Sequence, residues 1–558
     1  MPRGLPTRAI ARLGLALMLI VAAAVSPALA QKRPNILVIL VDDMGFSDTS
    51  PYGAEVHTPN IAQLANQGMM LTNFHASAYC APTRGMLLTG VDNHLIGMGN
   101  MAELRSPNQV GKPGYEGYLN GRAPTIATRL RQSGYHTYMA GKWHLGKTPA
   151  TIPAAQGFEQ SVGVLEGGAD NFEIKSYTPT YKKVNFFEKR GEMTMPGDFY
   201  STKYYTDRMI GYIDANRKDG KPFFGYLAYQ AVHQPHQAPQ EFIDRYMAIY
   251  QVGWYAIREH RYMRQVESGV MPAGLPMPRP PFIPQWDSLS PEEQRTNAKR
   301  MAVYAGMVEY MDMSIGRLTD YLRRNGMLDN TVVVLLSDNG AEAAALMPIF
   351  PDYYAANFDL THARMGLKGS YSEYGPGWAM TSGTPFTNFK GSASEGGLRA
   401  QFIVRHPGLV ARGARSSAFT HVLDVAPTPL RYAGIQGNAP GAAPMTGRDM
   451  GPLLSGATRA IYPANQAVGY EVAGSSALFQ GDYKLQRNAP PYGDMVWRLY
   501  DIAKDPTEQR DIGAQMPDRK AAMIAAYQAY VARNGVVEVP ADYDVVKQGR
   551  ANTEQANH

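Results

Sequence analysis

Residues 35–41, NILVILV, are apolar without a break and rich in β-branched side chains. That is the pattern of a strand buried on both faces, as in a parallel sheet covered by helices. The run ends at Asp42-Asp43. Residues 331–336, TVVVLL, repeat the pattern and end at Ser337-Asp338-Asn339-Gly340. Weaker strand patterns fall at 137–140, 223–228 and 402–404, and helical periodicity is expected over 59–67, 123–132, 202–216 and 296–324. Strand and helix therefore alternate, which predicts an α/β fold with a mixed, mostly parallel central sheet flanked by helices.

Two stretches interrupt this rhythm. Residues 240–291 are rich in aromatics, Met, Pro and Arg, and GLPMPRPPFIP at 274–284 excludes regular structure there. Residues 341–383 are dense in Tyr, Gly and Met. Both read as insertions that overhang a ligand and supply the rim of its pocket. After 424–434 a Gly/Ala/Pro-rich passage, 437–447, leads to short strand-like runs at 467–470, 477–479, 483–486 and 496–500, then a helix over 517–533. The expected organisation is a large α/β domain over 31–455 and a smaller C-terminal α+β domain over 456–558, without internal repeats.

The segment 1–30 stands apart. Arg3, Arg8 and Arg12 precede an apolar stretch over 13–25, and Ala28-Leu29-Ala30 is a small-residue cleavage site. This is the pattern of a signal peptide cut after Ala30, which implies a periplasmic or secreted chain. The apolar stretch falls short of the roughly 18–20 residues that span a bilayer, so no stable membrane association is expected. Removing three arginines from a formal charge of +6 leaves about +3, which gives no reason to expect a nucleic-acid partner. The chain has 1 cysteine, Cys80, so no intramolecular disulfide forms. For an unpaired thiol in an exported chain, composition alone favours a buried core cysteine over one kept for its chemistry.

Open α/β sheets place ligands beyond the carboxyl ends of their strands, where Asp42, Asp43, Asp338 and Asn339 would sit. Hard oxygen donors select Ca²⁺, or Mg²⁺, over Zn²⁺. Either acidic pair taken alone would also serve as the cap of a following turn.

The run around Cys80, CAPTRGMLLTG at 80–90, matches C-x-P-[ST]-R-x₄-T-G. It resembles the motif of the type I, formylglycine-dependent sulfatases of the alkaline-phosphatase-like superfamily, closest in pattern to bacterial arylsulfatases. The resemblance implies that a formylglycine-generating, sulfatase-maturating enzyme converts Cys80 to Cα-formylglycine (3-oxoalanine), reading Pro82 and Arg84. It implies, too, that the modified residue joins the four oxygen donors around the metal. Thr83 and Ala81 are less common at their positions but fall within the pattern.

A second family motif is GYHTYMAGKWH at 134–144, in which Lys142 and His144 are implied to contact sulfate. In YQAVHQPHQAP at 229–239 the register of the trailing Gln-Ala-Pro selects His233 over His236 as the active-site histidine, and the Lys upstream of Gly396-Gly397-Leu398-Arg399 is Lys390. His57, His75, His94 and His406 are read as structural. The resemblance extends over essentially the whole mature chain, through TPNIAQLA (58–65), VYAGMVEYMDMSIGRL (303–318), SDNGAE (337–342), LDVAPTPL (423–430) and LYDIAKDPTEQRDI (499–512).

The chemistry has its own logic. A soft thiolate is a poor Ca²⁺ ligand, whereas a hydrated aldehyde offers two geminal hydroxyls. Pro82 and Thr83 open a helix running through Leu88, whose N-terminal amides favour an anion. The family analogy implies hydrolysis of a small-molecule sulfate ester, an aryl sulfate above all. A formylglycine hydroxyl attacks sulfur, His233 with Lys390 protonates the leaving group, and His144 deprotonates the second hydroxyl to expel sulfate. Arg84 and Lys142 offset the negative charge. The alternatives are a phosphonate monoester or phosphodiester hydrolase of the same superfamily, and an exported binding protein that has lost the chemistry.

Overall fold

In the computed structural model, which describes residues 33–557, the run Asn35–Val41 forms strand β1 with every residue buried. The segment read as a signal peptide, 1–30, lies outside the described residues. Leu37, Ile39 and Val41 pack into one apolar core and Ile36, Val38 and Leu40 into another. A strand whose alternate side chains enter two cores has no place for polar residues, hence its unbroken apolar sequence.

Ten further strands join β1 in the main sheet of the described residues. They are β2 (Met69–His75), β3 (His136–Lys142), β4 (Gln160–Val164), β5 (Phe186–Glu188), β6 (Gly191–Glu192), β7 (Phe223–Ala228), β8 (Thr331–Ser337), β9 (Arg399–Arg405), β10 (Ala414–Ser416) and β11 (Thr420–His421). The order is β10-β2-β9-β8-β1-β7-β3-β4-β5-β6, with β11 also on β2. The stretch β8-β1-β7-β3-β4 is parallel throughout, and β9 runs antiparallel to both β8 and β2. The sheet is thus mixed and mostly parallel, as expected. Parallel pairing sends the carboxyl ends of β8, β1, β7 and β3 to one edge of the sheet.

The helix Pro291–Arg324 packs along the first core and begins earlier than the apolar periodicity predicts. Its start is a capping box, in which Ser290 Oγ accepts from Glu293 N at 3.2 Å and Glu293 returns a bond to Ser290 N at 2.8 Å.

A second sheet pairs β12 (Ala467–Val472), β13 (Ser475–Gln480), β14 (Tyr483–Arg487) and β15 (Arg498–Asp501), all antiparallel, with helix Pro517–Asn534 against it. Buried ion pairs fasten it to the main sheet. Lys484 Nζ reaches Glu395 at 2.8 Å, and His94 bridges Asp92 and Glu471 at 3.0 and 2.8 Å. His75 joins the first network through Glu395 at 3.0 Å. A further helix, Val545–Asn557, has no counterpart in the apolar pattern of the sequence. Among the described residues no helix is long and apolar enough to cross a membrane.

The segment 240–291 does not form the rim expected of it. It supplies two helices, Gln240–Asp244 and Trp254–Glu267, that pack inward. Trp254 and Trp286 stack edge to face at 4.8 Å and both meet Trp378, while the buried Arg261 pairs with Asp48 and Glu55 at 2.7 Å each. Its aromatics are therefore core residues of an added layer. The irregular stretch around 272–285 only closes that layer.

Candidate active site

The edge of the sheet positions the acidic residues. Asp42 and Asp43 follow β1, Asp338 and Asn339 follow β8, and all four are buried. Asp43 turns into the left-handed region at φ 60°, a strain that a short polar residue tolerates and that aims its carboxylate across the edge. Asn339 Nδ2 donates to Asp43 Oδ1 at 2.7 Å, and Asp43 N donates to Asp338 Oδ1 at 3.2 Å.

Cys80 is the first residue of helix Cys80–Thr89. Thr83 Oγ1 ties that helix to the site by donating to the Asp338 carbonyl at 2.6 Å. One ligand atom from each of Asp42, Asp43, Cys80 and Asp338 lies within 4.8 Å of the others. Burial pushes the Cys80 thiol well above its ordinary pKa, and the Asp338 charge adds to the effect. The unmodified side chain is therefore a neutral thiol, a poor nucleophile and a poor metal ligand.

Three cations frame this quartet. Arg84, one helical turn after Cys80, donates Nε and Nη2 to Asp338 Oδ2 at 3.1 and 2.8 Å and Nη1 to the Lys142 carbonyl at 2.9 Å. Lys142, the last residue of β3, donates to Asp42 Oδ2 at 2.6 Å. Lys390 lies 2.8 Å from Asp43 and 3.0 Å from Glu342. Burial disfavours the Lys390 ammonium, but Asp43 and Glu342 oppose it, and its pKa is held well above the ordinary value. Burial raises Asp43 while Lys390, His233 and Lys142 draw it down, leaving its carboxyl well below the usual range. Burial and the neighbouring Asp42 push Asp338 up to about 6.

The donor set fits a hard divalent cation. Asp42 Oδ1, with the Arg84 guanidinium 3.5 Å away, and Asn339 Oδ1 are buried and accept no hydrogen bond, an expensive state for acceptors that a bound cation would relieve. Both belong to residues whose other polar atom is already engaged, so the free oxygens are the ones left to bind.

The histidines complete the site. His233 follows β7, lies 3.5 Å from Asp43 and meets Tyr177 edge to face at 5.2 Å. Its Nδ1 donates to the Gln234 carbonyl, and burial pushes its pKa down to about 3. Burial thus favours the neutral ring, whereas the carboxylates around Lys390 favour its ammonium. His236 lies outside the cavity, between the rings of Tyr304 and Tyr374 at 5.2 and 4.9 Å. His144, at φ 57°, presents Nε2 to Glu103 at 3.7 Å and leaves Nδ1 buried and without a partner. At that distance Glu103 is a counter-charge for Nε2 rather than a hydrogen-bond partner, and Nδ1 is the nitrogen left open to a ligand. Gly167 passes so close that a Cβ there would lie 2.8 Å from His144 Cε1.

Cys80, His144, His233 and Lys390 open into one cavity of about 200 Å³. A larger cleft, about 530 Å³, lies between β2 and the second sheet and contains none of these groups. Asp42, Asp338, Asn339, Arg84 and Lys142 are fully buried and do not line the smaller cavity. The rim holds residues that no motif marks: Glu103, Tyr177, Tyr181 and the helix Val545–Asn557. Of the two expected overhangs only the second contributes, through residues between Glu342 and Phe350.

Burial lowers the His144 pKa and Glu103 opposes that fall. Glu103→Gln should therefore lower the pKa further. Activity that needs neutral His144 rises with pH through this pKa, so the ascending limb of the kcat profile should move to lower pH. An unmoved limb would show that Glu103 does not act on His144.

The sulfatase family model matches residues 34–435. The chain is 38% identical over 537 residues to an uncharacterized sulfatase of Schizosaccharomyces pombe, a match covering 92% of this chain and 96% of that one. It is 38% identical over 455 residues to an arylsulfatase of Klebsiella aerogenes, covering 79% and 96% respectively. Among solved structures, that of Ps i-CgsB in complex with k-i-k-neocarrahexaose aligns with a TM-score of 0.66 at 23% identity, over 94% of this chain and 98% of that one, a likeness of fold.

Proposed function

Since the chain belongs to the sulfatase family and is a sulfuric ester hydrolase, we propose that it cleaves aryl sulfates to a phenol and inorganic sulfate with a formylglycine made from Cys80. We propose Ca²⁺, or else Mg²⁺, held by Asp42, Asp43, Asp338, Asn339 and the modified residue. The observation that carries this reading is the buried cluster in which ligand atoms of Asp42, Asp43, Cys80 and Asp338 lie within 4.8 Å of one another, with Asn339 bonded to Asp43 beside them. As a cysteine the residue suits neither nucleophilic attack nor a hard cation.

A bound divalent cation supplies Lewis acidity and offsets the carboxylates. Hydrated formylglycine carries one hydroxyl to attack sulfur and a second whose deprotonation releases sulfate. The chain's own residues do the rest. Arg84 and Lys142 are fixed by Asp338 and Asp42, so their charges are already oriented when the anion enters. Lys390 is the standing proton source beside the leaving oxygen, with His233 as its neutral partner until an arriving anion favours the imidazolium. His144, with Nδ1 free, takes the proton of the second hydroxyl. The segment 1–30 directs the chain to the periplasm or the medium, where the maturating enzyme's product works on a small diffusible ester.

Mass spectrometry of the Cys80 peptide from active, natively produced protein should show the aldehyde or its hydrate; thiol alone would overturn the nucleophile. Chelation should abolish turnover and Ca²⁺ should restore it. Values of kcat/KM for an aryl sulfate and for the matching phosphate and phosphonate esters test the substrate. A preference for either phosphorus ester would favour the rival hydrolase of the same fold.

A further inference from the structure

The helix Val545–Asn557 lies beyond the span of the sulfatase family model, yet it closes one side of the catalytic cavity. Val545, Gly549 and Thr553 recur every four residues, and Val546 and Arg550 lie beside them on the same face. All five line the cavity.

The helix is fastened to the rim by specific bonds. Asn552 Nδ2 donates to the carbonyls of Glu103 and Arg105, both at 3.0 Å. Thr553 Oγ1 and Thr180 Oγ1 share a hydrogen bond of 3.0 Å, and Tyr543 just before the helix donates to the Leu104 carbonyl at 2.8 Å. Glu103, on the clamped loop, is the carboxylate beside His144. The approach is close, since a Cβ on Gly549 would stand 3.1 Å from Leu104 Cδ2.

The enclosed space has a definite chemistry. Its other walls include Tyr177, Leu346, Ile349 and Phe350. Two carboxylates, Glu103 and Glu342, stand on the lining and disfavour a second anionic group there, while the exposed Arg550 pairs with Glu554. A volume of about 200 Å³ falls below the roughly 300–1,000 Å³ of sites for drug-sized ligands, leaving room for one or two rings.

We propose that the helix Val545–Asn557 is the specificity element of this enzyme, forming with Tyr177 a slot for a flat, uncharged leaving group and excluding sulfated oligosaccharides. The proposal rests on the sulfate-ester reading and is independent of which cation serves it. Gly549 lets the helix lie against Leu104, and Asn552 fastens it to the loop that carries Glu103.

The test uses the full chain with phenyl sulfate, 4-methylumbelliferyl sulfate and a monosulfated disaccharide. Gly549→Leu should reduce kcat/KM for the two-ring ester about tenfold or more relative to phenyl sulfate, through KM. In a Cys80→Ala background, fluorescence titration should show the same substitution weakening 4-methylumbelliferyl sulfate binding more than that of inorganic sulfate. Asn552→Ala should shift the ratio the other way, toward the disaccharide. Parallel changes for all three esters, or none, would overturn the helix's role. If the wild-type chain itself prefers the disaccharide, the aryl reading and the slot both fall. A wild-type aryl preference that Gly549→Leu leaves unaltered removes only the slot.

Discussion

Cys80→Ala should lower kcat/KM toward an aryl sulfate by at least about ten-thousandfold, the scale on which removing a covalent nucleophile acts. Protein made in a host without the maturating enzyme should behave the same way, with Cys80 intact. The second result separates the thiol from the aldehyde. Burial and the Asp338 charge raise the thiol's pKa, and its sulfur faces the acceptor Asp43 Oδ1 at 3.8 Å, so the thiolate that attack requires is disfavoured. Turnover by either protein within tenfold of the mature enzyme would sink the assignment. Parallel binding of inorganic sulfate would show that the pocket itself survives the change, since Lys142 and Lys390 come from other elements and Arg84 is held on the Cys80 helix by Asp338.

Arg84→Ala should cost about 3–5 kcal/mol of stability, because it leaves Asp338 and Asp42 buried beside each other with their main counter-charge gone. The guanidinium makes three hydrogen bonds, two to Asp338 Oδ2 and one to the Lys142 carbonyl, and lies 3.5 Å from Asp42 Oδ1. Burial opposes its charge, yet Asp338 and Asp42 prevail and raise its pKa further. The loss should be largest after chelation and smaller with Ca²⁺, since a ligand that binds only the folded state stabilises it by mass action. Arg84→Lys should recover part of the stability but little activity, because an ammonium cannot span Asp338 and the Lys142 carbonyl as a planar fork does. Denaturation midpoints measured with and without Ca²⁺ check this. Equal losses under both conditions would mean that Arg84 and the cation do not share the same carboxylates.

The site was legible where its residues come in short runs on single elements. Asp42-Asp43, Asp338-Asn339, Cys80 with Arg84 and Lys142 with His144 are each near neighbours in the chain, and each run carries a spacing that one strand end or helix turn explains. Lys390 is a less local case. It sits between residues without strand or helix periodicity, and only its distance before Gly396-Gly397 drew notice; the fold carries it 2.8 Å from Asp43. Glu103, Tyr177, Tyr181 and the Val545–Asn557 helix had no such signal, since each reaches the cavity from a loop or element whose own pattern is ordinary.

The segment 240–291 shows the opposite failure. Its aromatics and prolines read as an overhanging rim, but they bury themselves against the helix layer through Trp254, Trp286 and Trp378. Aromatic density alone cannot tell a pocket wall from a second core, because both bury the same surface.

The sequence by itself determined the strands of the parallel core, the acidic residues at their ends, the lone cysteine and the basic and imidazole groups that accompany it. Burial on both faces forces an unbroken apolar run, and a helix turn forces a four-residue spacing, so these features are written locally. The tertiary structure alone decided that β8, β1, β7 and β3 lie side by side, that Glu103 and Tyr177 reach the cavity, and that the C-terminal helix walls it. Those depend on contacts between segments hundreds of residues apart in the chain, which the local period of a sequence does not record.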